Sequence, residues 1–286
     1  MEKKVIMSIK ISSDSTCDLP DYIIEQNDIN LVCVKIILDG EEYIDTVNVT
    51  AEDVLKFVDE KGILPKTAAN SVDAYREEFA RLTADGSEVI HFCISSCSSS
   101  CYNNASLAAK DFNGVYVVDS MHLSSGQGLL IMKAIDMRKE GLSAKEIFDK
   151  IEANKQKAVT SFVVDRLDFL HKGGRCSLLS LIGAKLIKIH PQIAMKDGAL
   201  AVKAKYQGSM IRSLNRYVED LAEEYHVYDK TRAFIIHSPS DQEIVDVVRS
   251  RVEELFDFNE LIDVTAGTTI TSHCGRNTIG LMFIAE

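Results

Sequence analysis

The chain has no run of lysine and arginine dense enough to track a phosphate backbone, and its formal net charge is −11. Most of its surface would repel nucleic acid, so that class of partner is excluded. No stretch approaches the ~18 apolar residues needed to cross a bilayer, so stable membrane insertion is not expected. A targeting signal is also missing. Met1-Glu2-Lys3-Lys4 is charged, but Val5 to Ile11 is too short, and too interrupted by Ser8 and Lys10, for an apolar signal core. Low-complexity linkers and internal repeats are absent as well. What remains is ordinary globular composition, 46% apolar and 26% charged over 286 residues, a length that favours two domains. The seven cysteines are odd in number and scattered, mostly in segments that read as strand or strand end. They read as reduced thiols of a cytoplasmic protein.

The first half alternates short β-type runs with helical patterns. Val5–Ser13 and Leu31–Leu38 read as strands around a helical segment after Leu19-Pro20, and Asp39-Gly40 turns a hairpin back through Glu42–Ile44. Thr50 with Asp53, Ser71, and Ser143 with Glu146 mark helix starts over Ala51–Lys61, Val72–Thr83 and Ser143–Lys157. Helices are also expected from about Tyr102 to Asp111 and over Ser124–Lys139, with buried strands at Glu88–Ile94 and Gly114–Val118. This alternation predicts a largely parallel sheet flanked by helices. From Ala158 the pattern changes. A strand to Val164 and a short helix or turn at Asp165–His171 precede Ile187–Met195 and Leu200–Tyr206, which flank an Asp197-Gly198 hairpin turn. Ser209–Glu224 and Asp241–Leu255 read as amphipathic helices around a strand at Ala233–His237. The expected fold is therefore two-lobed α/β: residues 1–157 with a parallel sheet, and residues 158–286 with antiparallel strands.

Hydroxyls gather at strand ends in the first half, in Ser12–Thr16, Ser95–Ser100, Asp119-Ser120 and Ser124-Ser125-Gly126. In an open parallel sheet the ligand crevice lies at the carboxyl ends of the strands. Serines at helix starts offer free N–H groups and hydroxyl donors to an anion, although a single serine there is usually just a cap. These segments are expected to converge on one polar ligand. The second half supplies cationic candidates. Arg175 follows Gly173-Gly174, and His273 ends what reads as a late β-type run.

Enzyme signatures are scarce. There is no Gly-x-x-x-x-Gly-Lys-Ser/Thr loop, and Leu123-Ser124-Ser125-Gly126 lacks the first glycine of a nucleophile elbow. The seven histidines show no metal-type spacing, and Cys93, Cys97 and Cys101 straddle strand and loop, so no metal or catalytic set is assigned.

Six segments in order resemble the DegV family of bacterial fatty-acid-binding proteins, essentially end to end. Ser13-Asp14-Ser15-Thr16-Cys17-Asp18-Leu19-Pro20 resembles that family's opening motif, and Lys66–Ser71 falls where it has Thr-Ser-Gln-Pro-Ser. Ser95–Asn103 is similar to its Ser-Ser-x-x-Ser-Gly-Thr-Tyr segment, and Asp119–Gly128 to its Asp-Ser-x-x-x-Ser-x-Gly-x-Gly pattern. Phe162–Arg175 and His273-x-Gly275 complete the series. Ala68, Ala69 and Asn70 stand in place of Ser-Gln-Pro, Ser100 and Cys101 in place of Gly-Thr, and Arg276 and Asn277 in place of Pro-Gly.

The resemblance implies a long-chain fatty acid held non-covalently between the lobes, with no other cofactor. It places carboxylate-binding hydroxyls at Thr67 and Ser99, and supporting groups at Arg175 and His273. It further implies lipid transport, or presentation of the acyl group to a fatty acid kinase. Two other readings stay open: an acyl or phosphoryl transfer enzyme using a Ser99–His273 pair, and a ligand-dependent regulatory module.

Overall fold

The computed structural model describes residues 8–175 and 189–286. Strand β1 (Ile9–Asp14) runs into a 3-10 turn at Ser15–Cys17, followed by α1 (Asp21–Asn27) and β2 (Ile29–Val32). A three-stranded excursion follows: β3 (Lys35–Leu38), β4 (Glu41–Ile44), α2 (Ala51–Lys61) and β5 (Lys66–Ala68). Then α3 (Val72–Thr83), β6 (Glu88–Cys93), α4 (Cys101–Ala109), β7 (Val115–Asp119), α5 (Ser125–Lys139) and α6 (Ala144–Asn154) complete the first half. The second half comprises β8 (Ala158–Val163), α7 (Asp168–Lys172), β9 (Ile189–Lys196), β10 (Ala199–Gln207), α8 (Met210–Glu224), β11 (Ala233–His237), α9 (Gln242–Leu255), β12 (Leu261–Thr265), α10 (Thr268–Cys274) and β13 (Ile279–Ile284).

Three sheets result. The parallel one is ordered β2-β1-β6-β7, the antiparallel excursion β4-β3-β5, and the six-stranded sheet β10-β9-β8-β13-β11-β12. All strand pairs in the last are antiparallel except β11 with β12. The expected fold class is the observed one. Local chemistry explains the boundaries. Thr50 with Asp53 and Ser143 with Glu146 close reciprocal capping boxes, and the Ser71 hydroxyl accepts from Ala74 N–H. Both Asp-Gly turns have positive φ at each residue, 51° and 93° at Asp39-Gly40, 50° and 80° at Asp197-Gly198. That is the backbone twist that lets a two-residue loop join antiparallel strands.

Two expectations are corrected. Leu31–Leu38 is not one strand: β2 ends at Val32, and β3 starts at Lys35 in a different sheet. Between them the Val34 N–H is taken by the Ser15 hydroxyl (3.3 Å) and the Val34 carbonyl by Asp45 N–H (3.0 Å), so the chain turns away from the parallel sheet. The cysteines are not mainly strand residues either. Of the six described, all free thiols, only Cys93 lies in a strand. Residues 5–7 of the first expected strand, and the start of Ile187–Met195, lie outside the described residues.

The largest apolar core runs through both halves. It joins Ile11, Ile90 and Phe92 of the parallel sheet, Leu129 to Ile135 of α5, and Phe162, Phe234 and Met282 of the six-stranded sheet. A second core fills the other face of the large sheet under α8 and α9, around Tyr217, Phe283 and Val248. Helix α5 therefore sits between the two larger sheets and is buried along most of its length. Its close approach needs glycine: a Cβ on Gly126 would fall 2.0 Å from Thr160 Oγ1. Replacing Gly126 with alanine should destabilise the protein by about 1–3 kcal/mol through overpacking. Urea unfolding checks this, and an unchanged midpoint would show that α5 is not tightly seated on β8.

Candidate functional site

Where the three sheets meet, a narrow cavity opens to the surface. It holds about 630 Å³ of space between atoms, open mouth included. Most of its wall is apolar, from Val34, Ile94, Leu123, Phe162, Leu170 and Leu200. Thr67, Ser99, Arg175 and His273 all line it, together with Thr16 and Ser98. The four site residues expected from the sequence are thus brought to one place from four distant parts of the chain.

Thr67 is the central residue of the short edge strand β5, opposite Ile36 of β3. Its hydroxyl lies 2.9 Å from His273 Nε2. His273 is not at a strand end as expected; it sits in the last turn of α10, which packs against α2 and β5. The ring is enclosed by glycine on its other side. A Cβ on Gly173 would come 2.7 Å from His273 Nδ1, and this nitrogen has no hydrogen-bond partner among the described residues. Burial, then the positive charge of Arg175, pushes the His273 imidazole down to about 4. At neutral pH the ring is therefore uncharged, and Arg175 carries the fixed positive charge. Arg175 is exposed, and its guanidinium donates to the Gly173 carbonyl at 2.6 Å.

Ser99 lies in the loop between β6 and α4. Its hydroxyl donates to Cys101 Sγ (3.1 Å) and accepts from Cys101 N–H (3.3 Å). No hydrogen bond joins Ser99 to His273 among the described residues; the imidazole is engaged with Thr67 instead. The nucleophile–base pair considered from the sequence is not assembled. The replaced neighbours have compensating roles. Cys101 supplies a thiol to Ser99 where the family pattern has a hydroxyl. The Asn70 side chain donates to the Val32 carbonyl (3.4 Å), and Arg276 pairs with Glu52 and Asp59 of α2. Asn277 takes a left-handed conformation, φ 55°, which asparagine tolerates better than most residues.

Helix α10 owes its position to two buried carboxylates of the first half. Asp18 Oδ1 accepts from Gly267 N–H (2.9 Å), and Asp45 Oδ1 from Thr269 N–H (3.3 Å). The Thr269 and Ser15 hydroxyls also donate to Asp45, each at 2.7 Å. Free amides at a helix start are suited to such acceptors. Asp45 had no signal in the sequence, since a carboxylate after a hairpin strand reads as solvated. Most of the strand-end hydroxyls turn out to serve structure. Ser12 bonds His91, Ser95 the Gly198 carbonyl, Ser120 the His122 carbonyl, and Ser124 and Ser125 bond Asp18. Among the described residues of the first half, only Thr16, Thr67, Ser98 and Ser99 present hydroxyl-bearing side chains to the cavity. Asp14, His91 and Cys93 also come within 4.8 Å of one another in the core, a grouping their spacing did not reveal. There Asp14 already accepts from Tyr75 Oη (2.6 Å) and Ile94 N–H (3.2 Å).

Burial raises the Asp18 carboxyl to about 7, against the hydrogen bonds from Ser124 and Gly267 and with a further push from Asp45. An unfolded Asp18 titrates near 3.8. Between these values the folded state holds more protons than the unfolded one, so this group favours folding at the acid end and opposes it as pH rises through about 7. Asp18→Asn can still accept from Gly267 N–H, and can donate to Ser124 Oγ in place of accepting from it, without ionising. Its melting temperature should gain on that of the parent as pH rises from about 5 to about 8. Parallel pH profiles of the two proteins would contradict the shift.

A family model described as "Uncharacterised protein, DegV family" matches residues 8–286. A DegV domain-containing protein of Clostridium acetobutylicum is 32% identical over 286 positions, spanning 97% of this chain and 99% of its own. Among solved structures, a DegV family protein from Thermus thermophilus, described as fatty acid binding, superposes with a TM-score of 0.87 at 25% identity, covering 98% of this chain and 100% of its own. A stearic-acid-binding protein from Eubacterium ventriosum gives 0.82 at 28% identity, covering 97% and 98%. Among the described residues no helix is long and apolar enough to cross a membrane. With a family match over nearly its whole length, the chain belongs to the DegV family.

Proposed function

We propose that this protein binds one long-chain, palmitate-like fatty acid non-covalently in the cavity between the halves of the chain. Residues 1–157 would supply the carboxylate-binding hydroxyls, and residues 158–286 would close over the acyl chain. The observation that carries this reading is the makeup of the cavity: a narrow apolar channel with Thr67, Ser99, Arg175 and His273 gathered on its wall. An ionised carboxylate leaving water needs donors or a cation, and an acyl tail needs apolar wall.

The geometry supports these roles. With its proton on Nε2, the neutral His273 ring donates to Thr67 Oγ1 and leaves the threonine hydroxyl proton free for the ligand. Ser99 can turn its own proton from Cys101 Sγ to the carboxylate. Arg175 adds long-range attraction at the exposed mouth. Burying a tail of about fourteen methylenes is worth on the order of 11 kcal/mol gross at about 0.8 per CH₂, before immobilisation costs. The tail thus supplies affinity, and the head group rejects uncharged lipids. A carrier of this kind serves lipid transport in the cytoplasm, or offers the bound carboxylate to a kinase for phosphorylation.

Thr67→Ala and Ser99→Ala should each weaken palmitate binding by about tenfold, the worth of a hydrogen bond to a charged group. Native mass spectrometry of protein purified from cells should show a lipid adduct. A clean unliganded mass, with no uptake of palmitate or oleate, would sink the reading. A covalent adduct with a fluorophosphonate probe at Ser99 would instead favour acyl transfer.

A further inference from the structure

Beneath helix α3, four polar side chains share one face of the parallel sheet, and none of them lines the cavity. Strands β1 and β6 run side by side with Ser12 opposite His91. Side chains two residues apart point the same way on a strand, so Asp14 and Cys93 stand on that face one step further on. Ser12, Asp14, His91 and Cys93 are all fully buried. One ligand atom each from Asp14, His91 and Cys93 lies within 4.8 Å of the other two.

A buried carboxylate is costly unless donors or a cation offset its charge. Asp14 has two donors, Tyr75 Oη (2.6 Å) and the Ile94 amide (3.2 Å), but among the described residues no lysine or arginine pairs with it. His91 faces it without bonding it. Nε2 stands 3.6 Å from Asp14 Oδ1, too far for a hydrogen bond, and has no other partner among the described residues. Roughly 3.3–3.8 Å is, however, the spacing of two ligands around a tetrahedral ion bonded at about 2.0–2.3 Å. Cys93 Sγ is at most about 1 Å beyond that spacing.

The groups around these three are those that a metal site needs. His91 Nδ1 lies 2.8 Å from Ser12 Oγ, so a proton on Nδ1 can be donated to Ser12 while Nε2 keeps its lone pair for an ion. Such a partner on the far nitrogen fixes the tautomer and plane of a ligating histidine. The rings of Tyr75 and Phe79 meet the imidazole edge-on, at 5.3 and 5.4 Å between centroids, and hold it in place. Tyr75 orients the Asp14 carboxylate in the same way that Ser12 orients His91.

We infer that Asp14, His91 and Cys93 bind a divalent ion of the zinc type in the core of the parallel sheet. Mixed nitrogen, oxygen and sulfur donors suit zinc, whereas magnesium and calcium prefer oxygen alone. The Asp14 carboxylate and a Cys93 thiolate balance the two positive charges, so the complex is neutral in its apolar surroundings. The Cys93 proton passes to solvent as the ion binds. Tyr75 Oη, a neutral oxygen, is within reach of the fourth position. The ligands come from β1 and β6, the two central strands, so the ion pins the middle of the sheet and its role is structural. This site is independent of the fatty-acid reading.

The test expresses the full chain in medium supplemented with zinc or with cobalt, so that the ion can enter as the chain folds, and dialyses the purified protein against EDTA. One ion per chain should remain by elemental analysis. The cobalt form should show a thiolate-to-cobalt charge-transfer band and the intense visible bands of tetrahedral cobalt. Cys93→Ser should abolish the charge-transfer band, while Cys97→Ser, an exposed thiol outside the cluster, should leave it unchanged. Ser12→Ala, which frees the His91 ring, should weaken metal retention against a competing chelator by about tenfold or more. A parent protein without metal after dialysis overturns the inference, as does a charge-transfer band that survives in Cys93→Ser. If Cys93→Ser does not fold, Ser12→Ala decides, and unchanged retention there overturns the site.

Discussion

Two carboxylates hold the start of one short helix, and much of the site's geometry follows from that attachment. Asp18 and Asp45 lie at the end of the 3-10 turn after β1 and just beyond β4, both buried in the first half. They accept from the amides that α10 cannot satisfy internally. A buried carboxylate without donors is costly, as is a buried helix end without acceptors, so each removes the other's penalty. With its first turn fixed by the first half, α10 presents His273 to Thr67 and Cys274 to the cavity wall. Gly267 marks how close this contact is, since a Cβ there would lie 2.9 Å from Asp18 Oδ1.

The attachment also explains why the cavity has both polar and apolar walls. One end of α10 touches polar groups of the first half, and one face of it lies over apolar residues of the second. Its neutral imidazole is hydrogen-bonded to Thr67 and adds no charge, while Arg175 lines the cavity as a cation.

Local chemistry made much of the fold legible. Thr50 and Ser143 announced their helices through partners three residues on, and Asp39-Gly40 and Asp197-Gly198 announced hairpins, because those signals act over a few residues. The break between β2 and β3 was hidden, since it depends on Ser15 and Asp45 capturing the backbone of Val34 from elsewhere in the chain. The seven residues of α10 were misread as strand because Thr268 to Thr271 are β-branched, and long-range contacts override that preference. Hydroxyl clustering correctly pointed to the ends of the parallel strands. It could not say which serines are used internally, since Ser95 and Ser124 meet their partners only after folding.

The β9–β10 hairpin reaches the Ser-rich loop through main chain alone: the Ser95 hydroxyl donates to the Gly198 carbonyl at 2.6 Å. A carbonyl is common to every residue, so this bridge across the cavity rim encodes no side-chain identity at its tip. What it demands is a turn of the right twist, and several two-residue sequences meet that requirement. Drift at Asp197 and Gly198 can therefore change the charge and bulk beside the mouth while the bridge itself persists. The tip is a position where surface recognition can diverge among otherwise equivalent binding pockets.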